Sequence, residues 1–373
     1  MIYFLLILKC FNFNLLIFNF TKIRSEIKYE ETEYYFLSDA DTLYYEFLPQ
    51  DKCWQFNDSF ISVKEFEKRP ILTPSFRNLN LSIIPLITNL SSNLEKEPFK
   101  LTLRYPKDIA DLIHFKYMLR PIHSALNYTI PSNSLNDNLS YSEHLNLFVI
   151  AELISKENAV IFKISSLPQV GNYSLTIYAG LSDDFSNDSP SSSDPIFNNE
   201  LKAVASIRIN CSKAIHFDTP PNRINPNEIT LFGMNNIMKR LGLSCHDYKQ
   251  GVIGTDREGK VNLVFEMSQP LDVEAYLYST DPSISSRYLE LCILKRVVHN
   301  FLILIINPPH AGLYGLDLHG AAKGSYYSMQ QQHSQLPPIG KYLIKSHTHL
   351  RSFTQFPKGN FIEHLFVNYF HNE

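Results

Sequence analysis

The sequence predicts a mainly β protein: two tandem antiparallel β-sandwich domains preceded by a short helical connector. Three observations predict it. Short segments alternate apolar and polar residues at period two, no long amphipathic helix separates them, and six segments recur in the same order in the second half.

The chain has 373 residues, 44% of them apolar and 13% aromatic, enough for two or three domains each burying its own core. A net charge of -3 gives no basic footprint, so a nucleic-acid partner is not expected. Cys10, Cys53, Cys211, Cys245 and Cys292 stand singly, with no C-x-x-C, unlike a disulfide framework; a reducing compartment is the simpler reading. Nine N-x-[ST] triplets, among them Asn80, Asn89, Asn127, Asn138 and Asn172, count only if the chain is secreted.

Residues 1–32 are an apolar segment broken by Lys9, Asn12, Asn14 and Asn19. Its longest clean run, Met1 to Leu8, is far short of the about 20 residues that span a bilayer. It also lacks a basic n-region and an A-x-A cleavage site, so a signal peptide or membrane anchor is the lesser reading. Translated non-coding sequence joined to a later exon fits its composition.

Residues 33–72 read as the helical connector. Ser38 or Asp39 caps a short helix over "ADTLYYEF" that Pro49 ends. In "ISVKEFEKRP", Ser62 and Glu65 have capping-box spacing, and Pro70 stops that helix after about two turns.

Residues 73–215 form the first predicted sandwich. "FKLTLRY" places Phe99, Leu101, Leu103 and Tyr105 on one face; "IHFKYML", "AVIFKI", "GNYSLTIYA" and "AVASIRINC" continue as strands. Residues 228–348 repeat the order. "FRNLNL" corresponds to "MKRLGL", "FKLTLRY" to "VNLVFEM", and "FKYML" to "EAYLY" around Tyr117 and Tyr276. "AVIFKI" corresponds to "NFLILI", the P-x-x-G-x-Y-x-L turn recurs from Pro168 and Pro309, and "VASIRINC" corresponds to "IGKYLIKS". Each copy is far too long for a solenoid repeat, so the pattern is domain duplication. Polar loops after the G-x-Y strand fall where sandwiches accept insertions, and residues 349–373 are expected to be a truncated tail.

The doubled turn fits an immunoglobulin-type sandwich. There a Tyr near the start of strand F hydrogen-bonds back to the preceding corner, two residues before a cysteine of the intersheet disulfide. Tyr173 and Tyr314 take the tyrosine position, and Leu175 and Leu316 stand where the cysteine would be. Gly171 and Gly312 supply permissive backbone, and Pro168 and Pro309 restrict it from before. The motif is scaffold, not an active site.

Other signals for chemistry are weak. His347 and His349 share a strand face but have no third ligand at a recognisable spacing. "HGAAKG" lacks the P-loop spacing, and Cys53 beside Trp54 has no His near it in sequence. No catalytic, cofactor-binding or metal-binding residue is assigned.

"YYFLSDADTLYYEFLPQDKCWQF" followed by "ISVKEFEKRPILTPSFRNLNL" resembles the segment after the transglutaminase-like core in the kyphoscoliosis peptidase and hillarin family. The matching residues are Phe36, Leu37, Asp39, Tyr45, Phe47, Pro49, Trp54, Gln55, Ile61, Phe66, Pro70, Pro74, Phe76 and Leu79. The repeated "G-x-Y-x-L-x-I-[YF]-A" element is similar to that family's sandwiches; copy one keeps Tyr178 and Ala179, and copy two departs with His319 and Gly320. The family's Cys-His-Asp triad lies upstream of the "FL-[ST]-D" phrase, so no residue here inherits a catalytic role.

The resemblance implies a non-enzymatic interaction or scaffold module, cytoplasmic and cytoskeleton-associated. Its implied partners are actin-crosslinking, actomyosin or septin-associated proteins, and no membrane partner is expected. The alternatives are the C-terminal fragment of an active Cys-His-Asp enzyme, and a secreted or membrane-anchored adhesion protein.

Overall fold

The computed structural model describes residues 61–66, 69–84, 98–122, 141–181, 201–214, 231–245, 250–279, 281, 283–324 and 336–347, with Tyr45, Leu48 and Asp51. The segments 1–32 and 349–373, the helix expected over "ADTLYYEF" except for Tyr45, which stands in a turn, and Cys53 with Trp54 lie outside the described residues.

The connector ends in α1 (Val63–Phe66). Its capping box is formed: Glu65 Oε2 accepts from the Ser62 amide at 2.9 Å and from Ser62 Oγ at 2.8 Å, and the Glu65 amide donates to Ser62 Oγ at 3.3 Å. The sandwich begins before residue 73, because β1 (Ile71–Leu72) already pairs with β8 (Lys202–Cys211). Thr73 continues this tie, its hydroxyl donating to the Ala203 carbonyl at 2.6 Å.

The first sandwich follows with α2 (Pro74–Asn78), β2 (Ser82–Ile84), β3 (Phe99–Arg104), β4 (Ile113–Pro121), α3 (Tyr141–Asn146), β5 (Ile150–Ile154), β6 (Ala159–Ile164) and β7 (Gly171–Leu181). One sheet has the order β2-β3-β6-β5 and the other β1-β8-β7-β4. These correspond to the A-B-E-D and G-F-C sheets of a constant-type immunoglobulin domain, with β1 added outside strand G.

The second sandwich contains α4 (Asn236–Arg240), β9 (Leu243–Cys245), β10 (Val252–Gly254), β11 (Val261–Met267), β12 (Leu271–Ser279), α5 (Ser286–Glu290), β13 (Ile293–Val298), β14 (Phe301–Ile306), β15 (Gly312–Ala322) and β16 (Pro338–Ser346). Its sheets are β13-β14-β11-β9 and β10-β16-β15-β12, the same topology. The copies differ at the added strand: β1 runs antiparallel to its neighbour, whereas β10 runs parallel to β16.

Alternation explains the cores. Phe99, Leu101 and Leu103 on β3, and Val261, Leu263 and Phe265 on β11, are buried while the residues between them reach outward. Aromatic pairs join the two sheets of each sandwich. Tyr117 meets Phe162 edge-on at 5.9 Å between centroids, and Phe265 meets Tyr342 at 6.1 Å. The turns after α2 and α4 also match, since Asn80 and Gly242 occupy equivalent left-handed positions at φ 49° and 79°.

Two correspondences read from sequence are shifted by one residue. Leu119 pairs with Leu175 and Leu277 with Leu316, so Tyr117 is equivalent to Ala275, not to Tyr276. Tyr117 is buried in the first core, whereas Tyr276 points outward and is 38% exposed. Likewise Ile164 faces Phe99 and Ile306 faces Val261, so "AVIFKI" matches residues 301–306, not 300–305. Because side chains alternate faces, a one-residue slip exchanges core for surface.

Candidate interaction surfaces and the joint between the sandwiches

The doubled corner forms as the sequence indicates. Tyr173 Oη donates to the Gln169 carbonyl at 2.9 Å, and Tyr314 Oη donates to the His310 carbonyl at 3.1 Å, four residues back in each copy. Both rings are buried in their cores. Gly171 and Gly312 enter their strands at φ 155° and 151°. Burial pushes the Tyr314 hydroxyl up to about 12, with the bond to His310 opposing it. Leu175 and Leu316 are fully buried, and Cys292 is a free thiol.

Cys292 donates to the Tyr288 carbonyl at 3.3 Å, and burial pushes its thiol up to about 12, away from nucleophilic reactivity. His347 is exposed, with its amide near Thr255 Oγ1 at 3.4 Å; its proposed companion His349 lies outside the described residues. The "HGAAKG" stretch is the end of β15, where Gly320 packs tightly against the Asp272 carbonyl and Ile339. No group of three or more His, Cys, Asp or Glu positioned to hold a metal occurs among the described residues. No helix among them is long and apolar enough to cross a membrane.

A joint between the sandwiches has no counterpart in the sequence reading. The linker residue Leu231 packs in the first core and Met234 in the second. Between them, Phe232 extends the β2-β3-β6-β5 sheet: its amide donates to the Ala151 carbonyl, and its carbonyl accepts from the Leu153 amide, both at 2.8 Å. One residue later the Gly233 amide donates to the Lys341 carbonyl of β16 at 2.7 Å. The linker is therefore hydrogen-bonded to a sheet of each sandwich.

Glycine permits this crossing. Gly233 has φ 115°, and a Cβ on Gly251 would lie 2.3 Å from the carbonyl carbon and oxygen of Phe232. Glu152 fixes the same place from the side. Its buried carboxylate accepts from Lys163 Nζ at 2.8 Å and from the Val252 amide of the second sandwich at 3.2 Å. Pairing on both oxygens offsets the desolvation of that charge.

Further ties surround it. Ser155 Oγ donates to the Met234 carbonyl at 2.8 Å, and Asn236 Nδ2 to the Ile113 carbonyl at 3.0 Å. Lys239 Nζ meets Asp111 Oδ1 at 3.0 Å, and Arg240 donates to the Asp111 carbonyl at 3.0 Å. The sandwiches are held in one relative orientation by backbone pairing, a buried carboxylate and a polar rim.

The joint also disposes of one open strand edge, that of β5. Elsewhere charges blunt the edges: β13 carries Lys295 and Arg296, and Lys295 reaches across to the Val273 carbonyl.

A sequence model of the KY-like immunoglobulin-like domain matches residues 63–222 and again 234–357, one match on each sandwich. The chain belongs to the KY-like immunoglobulin-like domain family. Both KY-like domains carry the buried corner tyrosine with leucine two residues later, and the joint lies at the boundary between the two matches. Similarity extends to the LIM and transglutaminase domain protein ltd-1 of Caenorhabditis elegans, at 25% identity over 87% of this chain and 41% of that protein. Hillarin of Drosophila melanogaster is 24% identical over 79% of this chain and 33% of its own length. The chain thus spans less than half the length of either relative.

Proposed function

We propose that this chain is a non-catalytic protein-interaction and scaffold module of the cytoplasm, serving cytoskeletal proteins of the actin-crosslinking, actomyosin or septin-associated kind. The observation that carries the reading is the tandem pair of KY-like immunoglobulin-like domains joined in fixed orientation through Phe232, Gly233, Gly251 and Glu152. Such a unit presents two sandwiches at constant spacing, which suits an adaptor that sets the geometry of its partners. Fractionation tests it. The full chain expressed in cells is expected in the detergent-insoluble cytoskeletal fraction, and complete recovery in the soluble fraction would remove the reading.

A second reading has support in the transglutaminase domain named in the Caenorhabditis elegans relative, of which this chain spans 41%. In it, these sandwiches are the C-terminal part of a Cys-His-Asp enzyme. Sequencing the transcripts of the gene decides between them: an upstream exon encoding that core favours the enzyme, and its absence from all transcripts favours the scaffold.

A further inference from the structure

The charges of the four sheets are uneven. The β2-β3-β6-β5 sheet contains Glu152 with Lys100, Arg104 and Lys163, the β13-β14-β11-β9 sheet contains Glu266 with Lys295 and Arg296, and the β10-β16-β15-β12 sheet contains Asp272, Glu274 and Asp317 with Lys341 and Lys345. The β1-β8-β7-β4 sheet of the first sandwich contains no Asp or Glu, yet its outer face carries Lys116, Arg120 and Arg208, with Lys202 at the rim opposite the buried Ala179. In a chain of net charge -3 this face runs against the overall balance.

Register places its groups in rows. Arg120 lies opposite Ser174, and Ser174 opposite Arg208, so two exposed guanidiniums flank a hydroxyl. The next row is Met118, Thr176, Ser206 and Ile71, and Ile71 is 41% exposed. Among the described residues no carboxylate pairs with Arg120 or Arg208.

We propose that this face docks an extended acidic segment of a protein partner. The inference rests on the reading of the chain as an interaction module and supplies the chemistry of what it binds. Charge complementarity selects the partner, and spacing selects its form. Arg120 and Arg208 are two strands apart, about 10 Å, and Lys116 lies about 13 Å along β4 from Arg120. Cations so dispersed do not converge on one phosphate. They match carboxylates repeated every third residue of a polyproline II chain, which share one face and lie about 9 Å apart. The Met118 and Ile71 row gives the intervening side chains an apolar surface; Ser174 Oγ and Ser206 Oγ share a hydrogen bond at 2.9 Å, which leaves one of their two O–H donors for a partner's backbone.

The test uses the full chain and a synthetic (Glu-Leu-Ser)4 peptide, with (Lys-Leu-Ser)4 as control, read by amide chemical shifts and calorimetry. The acidic peptide is expected to shift Ser174, Thr176 and Ser206 and to weaken as salt rises from about 50 to about 300 mM. Arg120→Glu with Arg208→Glu is expected to weaken binding at least about tenfold, with an unchanged thermal midpoint. Should that pair fail to fold, Arg120→Gln with Arg208→Gln keeps the test open, with a smaller loss in the same direction.

Binding unaffected by both pairs, or shifts confined to the second sandwich, would overturn the proposal. So would binding to vesicles of about 30 mol% phosphatidylserine without binding to the peptide, which would make the face a lipid contact. The connection between β7 and β8 carries Asp183, Asp184, Asp188, Asp194 and Glu200. If neutralising those five shifts the face while neither chain binds peptide, the occupant is in cis and the proposal fails. A charge-reversed chain that stays soluble, while the unaltered chain fractionates with the cytoskeleton, supports the proposal. If both stay soluble and peptide binding persists, the face binds acid but the cytoskeletal reading is lost.

Discussion

Replacing Gly251 with alanine tests the joint at its tightest point. The added Cβ would sit 2.3 Å from the Phe232 carbonyl carbon and oxygen and 2.6 Å from the Gly233 nitrogen, all backbone atoms that cannot rotate away. Restoring ordinary contact requires the two segments to part by about 1 Å. Parting by that much stretches bonds that are now 2.7–2.8 Å, from Phe232 to Ala151 and Leu153 and from Gly233 to Lys341, beyond useful length. Each is worth about 1 kcal/mol net, so the joint loses about 2–3 kcal/mol, in the range of overpacked sites. The stiffer unfolded chain returns only about 0.4–1 kcal/mol. Docking therefore weakens while both cores remain intact. The unaltered chain should unfold in one calorimetric transition; Gly251→Ala should separate it into two and increase the maximum dimension in small-angle scattering. A single unchanged transition with superimposable scattering would refute the reasoning.

Three other outcomes are expected. Tyr173→Phe and Tyr314→Phe should each lower stability by about 1 kcal/mol in urea titration, because each removes a corner hydrogen bond and leaves a carbonyl without its donor. Cys292 should resist iodoacetamide at about pH 8 until the second sandwich is unfolded, since burial holds its thiol protonated well above the range where a free cysteine reacts. Stability should fall on acidification through 6.5, where burial lowers both His144 and His114, the latter helped by Arg240. The unfolded chain then binds more protons than the folded one, so ΔG of unfolding rises with pH across that window. His114→Gln with His144→Gln should flatten the drop in urea midpoint between about pH 7.5 and about pH 5.5.

The sandwich pair was legible because its signals are local and repeated. Period-two alternation in "FKLTLRY" and "GNYSLTIYA" declares one buried face, and the corner tyrosine binds a carbonyl only four residues away. The capping box of Ser62 and Glu65 was legible for the same reason. Strand-to-strand equivalence was less secure. Tyr117 and Tyr276 look alike in sequence, but only pairing to β7 and β15 reveals that they occupy opposite faces.

The joint was not legible at all. Gly233 and Gly251 meet through chain crossing, and Glu152 reaches Val252 across 100 positions, which no local pattern encodes. An acidic residue inside the apolar run "LFVIAELI" was the one available hint of a buried, paired charge. The basic face was hidden by whole-chain charge, since β4, β7 and β8 are separated in sequence and become neighbours only in the sheet.

The central claim, a scaffold module for cytoskeletal proteins, is tested most directly by affinity capture. The tagged full chain is incubated with cell extract beside its Arg120→Glu/Arg208→Glu variant, and bound proteins are quantified by mass spectrometry. Enrichment of actin-crosslinking, actomyosin or septin-associated proteins on the unaltered chain, reduced on the variant, is the predicted result. Capture of no cytoskeletal protein above background would contradict the account.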